Sequence, residues 1–264
     1  MIHILLPAYN EQVTIGPTIE SIARTAGDIG EPIRLLLVDD GSEDATLERA
    51  VSAARSSGVD LTVISHEHNR GLGAALRTGI YRVVDDAGSD DVLVALDSDN
   101  THPADLIPGM VRRVRAGADV VIASRYQDGA TVAGVPAYRR VLSDGGRFLF
   151  RLAFPIPGVR DYTCGFRAYA IGPLRRAKLV YGEELCTQRG FEATVDVLLR
   201  LRQVGIQAEE VPLRLDYSSR VGSSKMRVWR TIRSSLGLIG VRLVDRFTRY
   251  SASNVQKVLR AAQQ

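Results

Sequence analysis

The chain has 264 residues, of which 45% are hydrophobic and 24% charged, proportions that exclude a disordered or fibrous protein. Its formal net charge of +4 favours anionic partners, namely a nucleotide, a phospholipid surface or nucleic acid. Two cysteines provide neither a disulfide framework nor a zinc-binding pattern. No signal-peptide pattern opens the sequence, and no apolar stretch approaches the roughly 20 residues that span a bilayer. A cytoplasmic protein is therefore expected.

Short apolar runs alternate with amphipathic segments through the first 124 residues. Such regular alternation predicts right-handed crossovers and a mostly parallel sheet with helices on both faces, an α/β fold. His66 and His68 alternate at the end of the third strand and are predicted to face solvent rather than to bind a metal. Strands are predicted at 2–7, 33–38, 60–65, 91–96 and 119–123, and helices at 12–26, 44–57, 72–86 and 103–116.

The second half of the chain is less regular. Residues 138–154 form a basic and apolar segment. Further strands are predicted at 163–171 and 208–215, with a helix at 190–204 between them.

Acidic residues stand at the ends of two buried apolar runs. Asp39 and Asp40 follow the run 35–38, and Asp97 and Asp99 follow the run 92–96. Carboxyl ends of strands are where open α/β sheets bind their ligands. An Asp-x-Asp pair can present two hard oxygen ligands to Mg²⁺ or Mn²⁺, which then holds a diphosphate. Each motif alone is equally compatible with a turn. Together they predict an enzyme that handles a nucleotide diphosphate.

The carboxyl-terminal segment carries apolar residues at three- and four-residue spacing, fringed by arginines, which predicts an amphipathic helix. Two interpretations remain open, a helix packed on the body or on a partner subunit, and a helix lying on an anionic membrane surface. We therefore divide the chain into a catalytic domain, 1–225, and a helical extension, 226–264. The apolar stripe consists of Trp229, Ile232, Leu236, Ile239, Leu243 and Phe247.

A series of motifs spread over the chain resembles the family 2 glycosyltransferases of the A-type nucleotide-sugar fold. The last two motifs narrow the resemblance to dolichol-phosphate mannose synthases and related polyprenyl-phosphate glycosyltransferases. It runs from residue 2 to about residue 230. The motifs are Pro-Ala-Tyr-Asn-Glu at 7–11, Val-Asp-Asp-Gly-Ser at 38–42, Asn-Arg-Gly-Leu-Gly-Ala-Ala at 69–75, Asp-Ser-Asp at 97–99, Ser-Arg-Tyr at 124–126, Asp-Tyr-Thr-Cys-Gly-Phe-Arg at 161–167 and Arg-Val-Gly-Ser-Ser-Lys-Met at 220–226.

The resemblance implies a donor site that uses Mg²⁺ or Mn²⁺. Asp40 would accept a hydrogen bond from the base, Asp97 would lie near the ribose and the metal, and Asp99 would bind the metal directly. Thr101 stands where the family often has Gln, which leaves the third protein ligand open. The nucleotide-binding residues would be Pro7, Ala8, Tyr9, Glu11, Val38, Asp40, Gly71 and Asp97, with Gly71 and Gly73 allowing close backbone approach.

The resemblance also implies an acceptor site for a phosphate. Arginine suits this task because its planar guanidinium meets phosphate oxygens bidentately. A phosphomonoester is already anionic at neutral pH, so its displacement of the diphosphate needs no base and inverts the anomeric carbon. The acceptor phosphate would meet Arg125, Arg139 and Ser143, and the catalytic residues would be Asp97, Asp99, Arg125, Arg220 and Lys225.

The predicted reaction is glycosyl transfer from a nucleotide diphosphate sugar, GDP-mannose before UDP-glucose, to a polyprenyl phosphate. Peripheral contact with an anionic membrane is expected, through 148–154 and the carboxyl-terminal stripe, a homo-oligomer is left open and nucleic acid is not an expected partner. One alternative is a transferase with a soluble acceptor, for which Asp161 and Glu192 are weak candidates as the base. Segment 190–196 departs from the family pattern and motivates this alternative. Another is a non-catalytic nucleotide-sugar-binding membrane adaptor, against which the paired Asp97 and Asp99 argue.

Overall fold

The computed structural model describes residues 1–134, 137–216, 228–245 and 250–262, with the backbone alone for 137–143, 216, 228–232 and 252. The strands are β1 (Ile2–Ala8), β2 (Ile33–Asp39), β3 (Asp60–Ser65), β4 (Val92–Ala95), β5 (Val120–Ser124), β6 (Thr131–Ala133), β7 (Arg167–Ala170), β8 (Ala208–Pro212) and β9 (Arg214–Asp216). The α-helices are α1 (Ile15–Arg24), α2 (Ala26–Ile29), α3 (Thr46–Ser57), α4 (Leu72–Asp86), α5 (Ile107–Arg115), α6 (Ala137–Ala153), α7 (Ile171–Tyr181), α8 (Glu192–Gln203), α9 (Val228–Val244) and α10 (Ala252–Ala261). Single 3₁₀ turns occupy Ala104–Leu106 and Gly182–Glu184.

The central sheet of the described chain has the strand order β3-β2-β1-β4-β7-β5-β8. Its neighbouring strands are parallel except where β7 runs antiparallel to both β4 and β5. Strands β4 and β5 are buried at every residue, which explains why their sequences are continuously apolar rather than alternating. Strands β6 and β9 form a separate parallel pair.

The order of the strands reverses at β1, which lies between β2 and β4. From β1 the chain continues to β2 and β3 on one side, and then returns to β4 on the other. The carboxyl ends of these strands, at Ala8, Asp39 and Ala95, consequently flank one crevice at one edge of the sheet. Reversal points of this kind are where open α/β sheets bind ligands.

The predicted α/β fold is confirmed. The strands and helices predicted in the first 124 residues are all present, with ends that differ by a few residues. The strand predicted at 163–171 is shorter in the structure, where β7 covers Arg167–Ala170. β7 is antiparallel to β4 and β5, a direction that is set by its partners in the sheet and not by its own sequence. The helix α7, which follows directly and begins at Ile171, carries Gly172 and Pro173 in its first turn and was not predicted.

The carboxyl-terminal helices pack on the body of the protein. Helix α9 contacts α8 and α6, and α10 contacts α7. The predicted domain boundary at 225–226 lies outside the described residues. Among the helices that the structure describes, none combines the length and the apolar character needed to cross a membrane.

The described members of the predicted apolar stripe are not the most buried residues of α9. Leu236 and Leu243 are exposed and Ile239 is half-buried, whereas Leu238 and Arg242 are buried against the body. The face of α9 that packs on the body contains Arg242, which pairs with Asp196 of α8. Because of this charged residue, the sequence of the packing face does not show an apolar stripe. A membrane role for the exposed face stays a prediction. The side chains of the other three stripe residues are not among those that the structure describes: Trp229, Ile232 and Phe247.

Replacing Leu238 by alanine is expected to lower the free energy of unfolding by about 2–5 kcal/mol, because a buried leucine loses its contacts and leaves a cavity. Leu236→Ala is the matched control on the same helix and should change this free energy by about 0.5 kcal/mol or less. Urea unfolding of the full-length variants measures both values. Equal effects of the two substitutions would contradict the packing of α9 described above.

Candidate active site

The predicted nucleotide-binding residues meet at the crevice beside β1. The backbone N–H of Asp40 donates to the carbonyl of Ala8 at 2.8 Å. The Ser98 hydroxyl donates to the carbonyl of Pro7 at 2.9 Å, which ties the Asp-Ser-Asp motif to the first strand. Val38 pairs with Pro7 in the sheet and is fully buried, so its side chain belongs to the core.

The loop that carries Tyr9 and Glu11 is fixed to the loop after β2. Asn10 has a positive φ of 53°, and its side-chain oxygen accepts the N–H of Glu43. The N–H of Glu11 donates to the Thr46 hydroxyl at 2.7 Å, at the start of α3. This backbone is therefore rigidly oriented at the carboxyl end of β1.

Asp40 is buried and holds a neighbouring loop. Its carboxylate accepts the backbone N–H of Arg70 at 3.0 Å and of Gly71 at 2.8 Å. His66 Nδ1 lies 2.6 Å from Asp40 Oδ1, and Nε2 lies 3.0 Å from the Thr78 hydroxyl of α4. The prediction that His66 faces solvent is wrong, since its side chain is 5% exposed and is held between a carboxylate and a hydroxyl. His68 is exposed, as predicted.

Gly71 and Gly73 permit a close backbone approach, and the approaching backbone belongs to the protein itself. A Cβ on Gly73 would lie 1.6 Å from the carbonyl oxygen of Gln188, and one on Gly71 would lie 2.6 Å from that of Arg189. Gly71 also has a φ of +94°, which disfavours other residues. Segment 188–190 therefore forms a wall against the start of α4.

The Asp-Ser-Asp motif follows β4 and is ordered by two neighbours. Thr101 donates its N–H at 3.2 Å and its hydroxyl at 2.6 Å to Asp99 Oδ1. His102 Nδ1 accepts the N–H of Asp97 at 3.2 Å, and its Nε2 lies 4.0 Å from Asp97 Oδ2. The imidazole stacks on Phe166 with ring centroids 5.2 Å apart. His102 was missed in the sequence, although it follows the motif by only three residues.

The donor set of the motif fits a hard divalent cation. Mg²⁺ is commonly held by one or two carboxylates together with substrate phosphates and water, and Asp97 and Asp99 supply such carboxylates at the crevice. Within the described part of the chain, no group of three His, Cys, Asp or Glu side chains is arranged to hold a metal ion by itself. Substrate phosphate oxygens and water would supply the other ligands of an ion held by these two carboxylates.

Arg125, predicted to bind the acceptor phosphate, is held by a buried carboxylate. Its Nε and Nη2 donate to the two oxygens of Asp161, each at 2.8 Å, and Nη2 also donates to the Thr163 hydroxyl at 2.5 Å. Burial alone would raise the pKa of Asp161, but the guanidinium of Arg125 lowers it to about 2. The Arg125 pKa is raised in turn by Asp161, against the effect of burial. A carboxylate so paired is a poor general base.

The remaining predicted residues are less well defined by the structure. Arg139 and Ser143 lie in the first part of α6, residues 137–143, of which only the backbone is described. Arg220 and Lys225 lie outside the described residues. Glu192, the other weak candidate for a base, is buried as the first residue of α8.

The profile of the family described as "Glycosyl transferase family 2" matches residues 3–178, and the chain is a member of that family. The predicted resemblance and the predicted enzyme class are thereby confirmed.

Curated relatives at 30% identity extend over most of the chain. An undecaprenyl-phosphate mannosyltransferase of Micrococcus luteus matches over 260 residues, 97% of this chain and 96% of the relative. A polyprenol monophosphomannose synthase of Mycolicibacterium smegmatis matches over 84% of this chain and 80% of the relative. A dolichol-phosphate mannosyltransferase of Pyrococcus furiosus matches over 86% of this chain, which spans 59% of the length of that relative.

Solved structures confirm the architecture. Glucosyl-3-phosphoglycerate synthase of Mycobacterium tuberculosis, in complex with phosphoglyceric acid, has a TM-score of 0.59 and 23% identity, over 91% of this chain and 80% of that one. The same enzyme with Mn²⁺, UDP-glucose and phosphoglyceric acid has a TM-score of 0.60 and 22% identity, with the same coverage.

The Arg125–Asp161 pair predicts a specific acid sensitivity. Asp161 has a folded-state pKa of about 2 against an ordinary 3.8, so the pair stabilises the fold above about pH 4. This contribution is lost as the pH falls from about 4 towards 2. The difference in unfolding free energy between the wild type and Asp161→Asn should be constant from about pH 5 to 8 and shrink below about pH 4. Urea unfolding across this range measures it, and a difference that persists unchanged to about pH 2 would contradict the assignment.

Proposed function

We propose that the chain transfers a sugar from a nucleotide diphosphate sugar to the phosphate of a polyprenyl phosphate, with inversion at the anomeric carbon. The near full-length match to the Micrococcus luteus undecaprenyl-phosphate mannosyltransferase is the observation that carries this proposal. GDP-mannose is the proposed donor, because the curated relatives named above are mannosyltransferases or a mannose synthase. UDP-glucose is the second candidate.

The donor would bind across the crevice beside β1. Asp40 would support the base pocket through the loop at Arg70 and Gly71 that it holds, and the rigid loop at Tyr9 and Glu11 would border the nucleoside. Mg²⁺ or Mn²⁺ held by Asp97 and Asp99 would neutralise charge on the leaving diphosphate. The ordered backbone and the paired side chains of this crevice favour a role in catalysis. Groups that are already oriented stabilise developing charge without a free-energy cost for rearrangement during the reaction.

The acceptor phosphate would approach from the side of Arg125. The side chain of Arg125 is 22% exposed, and Asp161 fixes its orientation. A phosphate would therefore meet a guanidinium whose position is already set, which lowers the entropic cost of alignment. Since the acceptor oxygen is anionic at neutral pH, the pairing of Asp161 with Arg125 removes no group that the reaction needs.

Helix α6 offers a surface for the lipid. Phe150 and the following Phe154 are buried and attach the helix to the body. The opposite side is exposed and apolar, and Arg147 and Arg151 flank it, an arrangement suited to an anionic membrane surface. This side consists of Phe148, Leu149 and Leu152.

A soluble acceptor is the second candidate function. Its support is the likeness in fold to glucosyl-3-phosphoglycerate synthase, together with the atypical sequence of 190–196. Such an acceptor would present a hydroxyl, for which the described residues offer Glu192 as the remaining weak candidate for a base.

A panel of nucleotide sugars with a short polyprenyl phosphate and Mn²⁺ is expected to yield a lipid-linked product with GDP-mannose. Asp99→Asn should reduce turnover by about 10²–10³-fold, because charge on the leaving diphosphate loses its stabilisation. Chelation of the metal should have the same effect. Asp105→Asn, at an exposed aspartate of the same segment, is the control and should retain activity. No lipid product with any donor, together with activity on phosphoglyceric acid, would replace the proposal by the soluble-acceptor function.

Membrane contact is tested by flotation with vesicles rich in phosphatidylglycerol. The wild type should float at low ionic strength and be released by high salt, since each basic residue near the surface contributes about 1 kcal/mol. A variant with both Phe148→Ser and Leu152→Ser should lose binding. Leu179→Ser, at an exposed leucine of α7, is the matched control and should float like the wild type. Absence of wild-type binding would make α6 and α9 packing or oligomer faces and would weaken the polyprenyl acceptor.

A further inference from the structure

A buried set of charged residues joins α9 to α8. Arg242 of α9 is buried, and its Nε and Nη2 contact Asp196 Oδ1 of α8 at 2.7 and 2.6 Å. Its Nη1 donates to Asp245 Oδ2 at 2.7 Å. Burial alone would lower the pKa of Arg242, but Asp196 and Asp245 raise it, so the guanidinium is charged. Arg200 of α8 completes the set, with its Nη1 3.1 Å from Asp245 Oδ2.

The same charges hold the segment that precedes α8. Arg242 Nη2 donates to the Thr187 hydroxyl at 3.0 Å. That hydroxyl donates in turn to Asp196 Oδ2 at 3.0 Å, and the N–H of Thr187 donates to the same oxygen at 2.9 Å. Asp196 thus uses one oxygen for the arginine of α9 and the other for Thr187. The position of Thr187 is defined by α8 and α9 together.

The residues immediately after Thr187 form the wall against the start of α4. Gly73 donates its N–H to the carbonyl of Arg189 at 3.3 Å, and the carbonyl of Gln188 occupies the space that a side chain at Gly73 would need. Gly71, two residues earlier, is bound to the carboxylate of Asp40. A continuous series of contacts therefore runs from α9 to the donor crevice.

We propose that Arg242 and Thr187 are positioning residues for the donor site. Through the Thr187 hydroxyl, Arg242 fixes segment 187–190, and this segment sets the position of the loop at Gly71 and Gly73 beside Asp40. The carboxyl-terminal helix α9 is in this way a structural part of the donor site. The inference rests on the proposed function only in taking this crevice as the place where the nucleotide binds.

The sharpest variant removes one hydroxyl without a large change in shape. Thr187→Val removes the two hydrogen bonds of the Thr187 hydroxyl, one from Arg242 and one to Asp196. It keeps the hydrogen bond from the backbone N–H of residue 187 to Asp196. Thr187→Ser restores the hydroxyl. Arg200→Met is the matched control within the buried set, because Arg200 contacts Asp245 and the rings of Tyr181 and Tyr250 but makes no described contact with Thr187.

Two measurements on the full chain test the proposal. Hydrogen exchange should be faster by about tenfold at the amide of Gly73 and in 187–190 in Thr187→Val, and return towards wild type in Thr187→Ser. Titration with GDP and with UDP, each with Mn²⁺, should give about tenfold weaker binding for Thr187→Val, the loss expected for one hydrogen bond to a charged group. In turnover assays this loss should enter the donor KM and leave kcat and the acceptor KM nearly unchanged.

Arg200→Met should lower the thermal stability without a specific increase in exchange at Gly73 or in the Kd of the nucleotide. Unchanged exchange at Gly73 in Thr187→Val, or a Thr187→Ser variant as impaired as Thr187→Val, would overturn the proposal. If the wild type binds neither nucleotide, the proposed donor is wrong, while the exchange measurement still decides whether α9 supports the loop at Gly73.

Discussion

A carboxylate withdrawn from water must be supplied with hydrogen-bond donors, and the crevice beside β1 is organised around this requirement at Asp40. A buried charge without partners is strongly destabilising, so Asp40 gathers the amides of Arg70 and Gly71 and the ring of His66. These hydrogen bonds connect the end of β2 to the loop before α4, which is not hydrogen-bonded to β2 as a strand of the sheet. The position of the loop before α4 therefore depends on the Asp40 carboxylate and the groups that bind it.

The same principle recurs further along the chain. Asp161 is fully buried and is matched by Arg125, and Asp196 is fully buried and is matched by Arg242. Pairs of this kind add little net stability compared with apolar residues of the same size, but loss of one partner is severe. Their contribution is orientation, because a bidentate or three-way contact fixes a guanidinium much more narrowly than packing does. In this glycosyltransferase, buried ion pairs define where the loops stand.

Much of the first half of the fold is readable in the sequence because it depends on local patterns. Buried parallel strands are short continuous apolar runs, and helices carry a 3.6-residue period, so β1 to β5 and their helices follow directly. The aspartates at Asp97 and Asp99 were identified in the same way, since they directly follow a strand. The direction of β7 is different, because it depends on partners that are distant in sequence.

Several of the features that were missed involve contacts between distant residues, whereas His102 and helix α7 are local and were missed as well. Nothing local to Arg125 indicates a carboxylate 36 residues away, and nothing local to His66 indicates that Asp40 and Thr78 enclose it. Helix α9 was predicted, but its buried face was not, because that face is built around Arg242 and its aspartate. A search for apolar periodicity alone does not find a buried face that contains a paired arginine.

The antiparallel direction of β7 has a consequence for how a family of this kind can diversify. The chain leaves the sheet after β5 and returns to it at β7, and the N–H of Ala123 meets the carbonyl of Phe166 at 3.0 Å. Residues 124–166 thus form an excursion whose two ends are adjacent at the sheet, and its outer parts contact β9 and α9. It contains Arg125, α6 and Asp161. Closing a loop of greater length costs little additional entropy, so this excursion can change in length and content while the strands that flank it keep their register. The segment that carries Arg125 and Asp161 can therefore differ in length without displacing the strands beside the crevice.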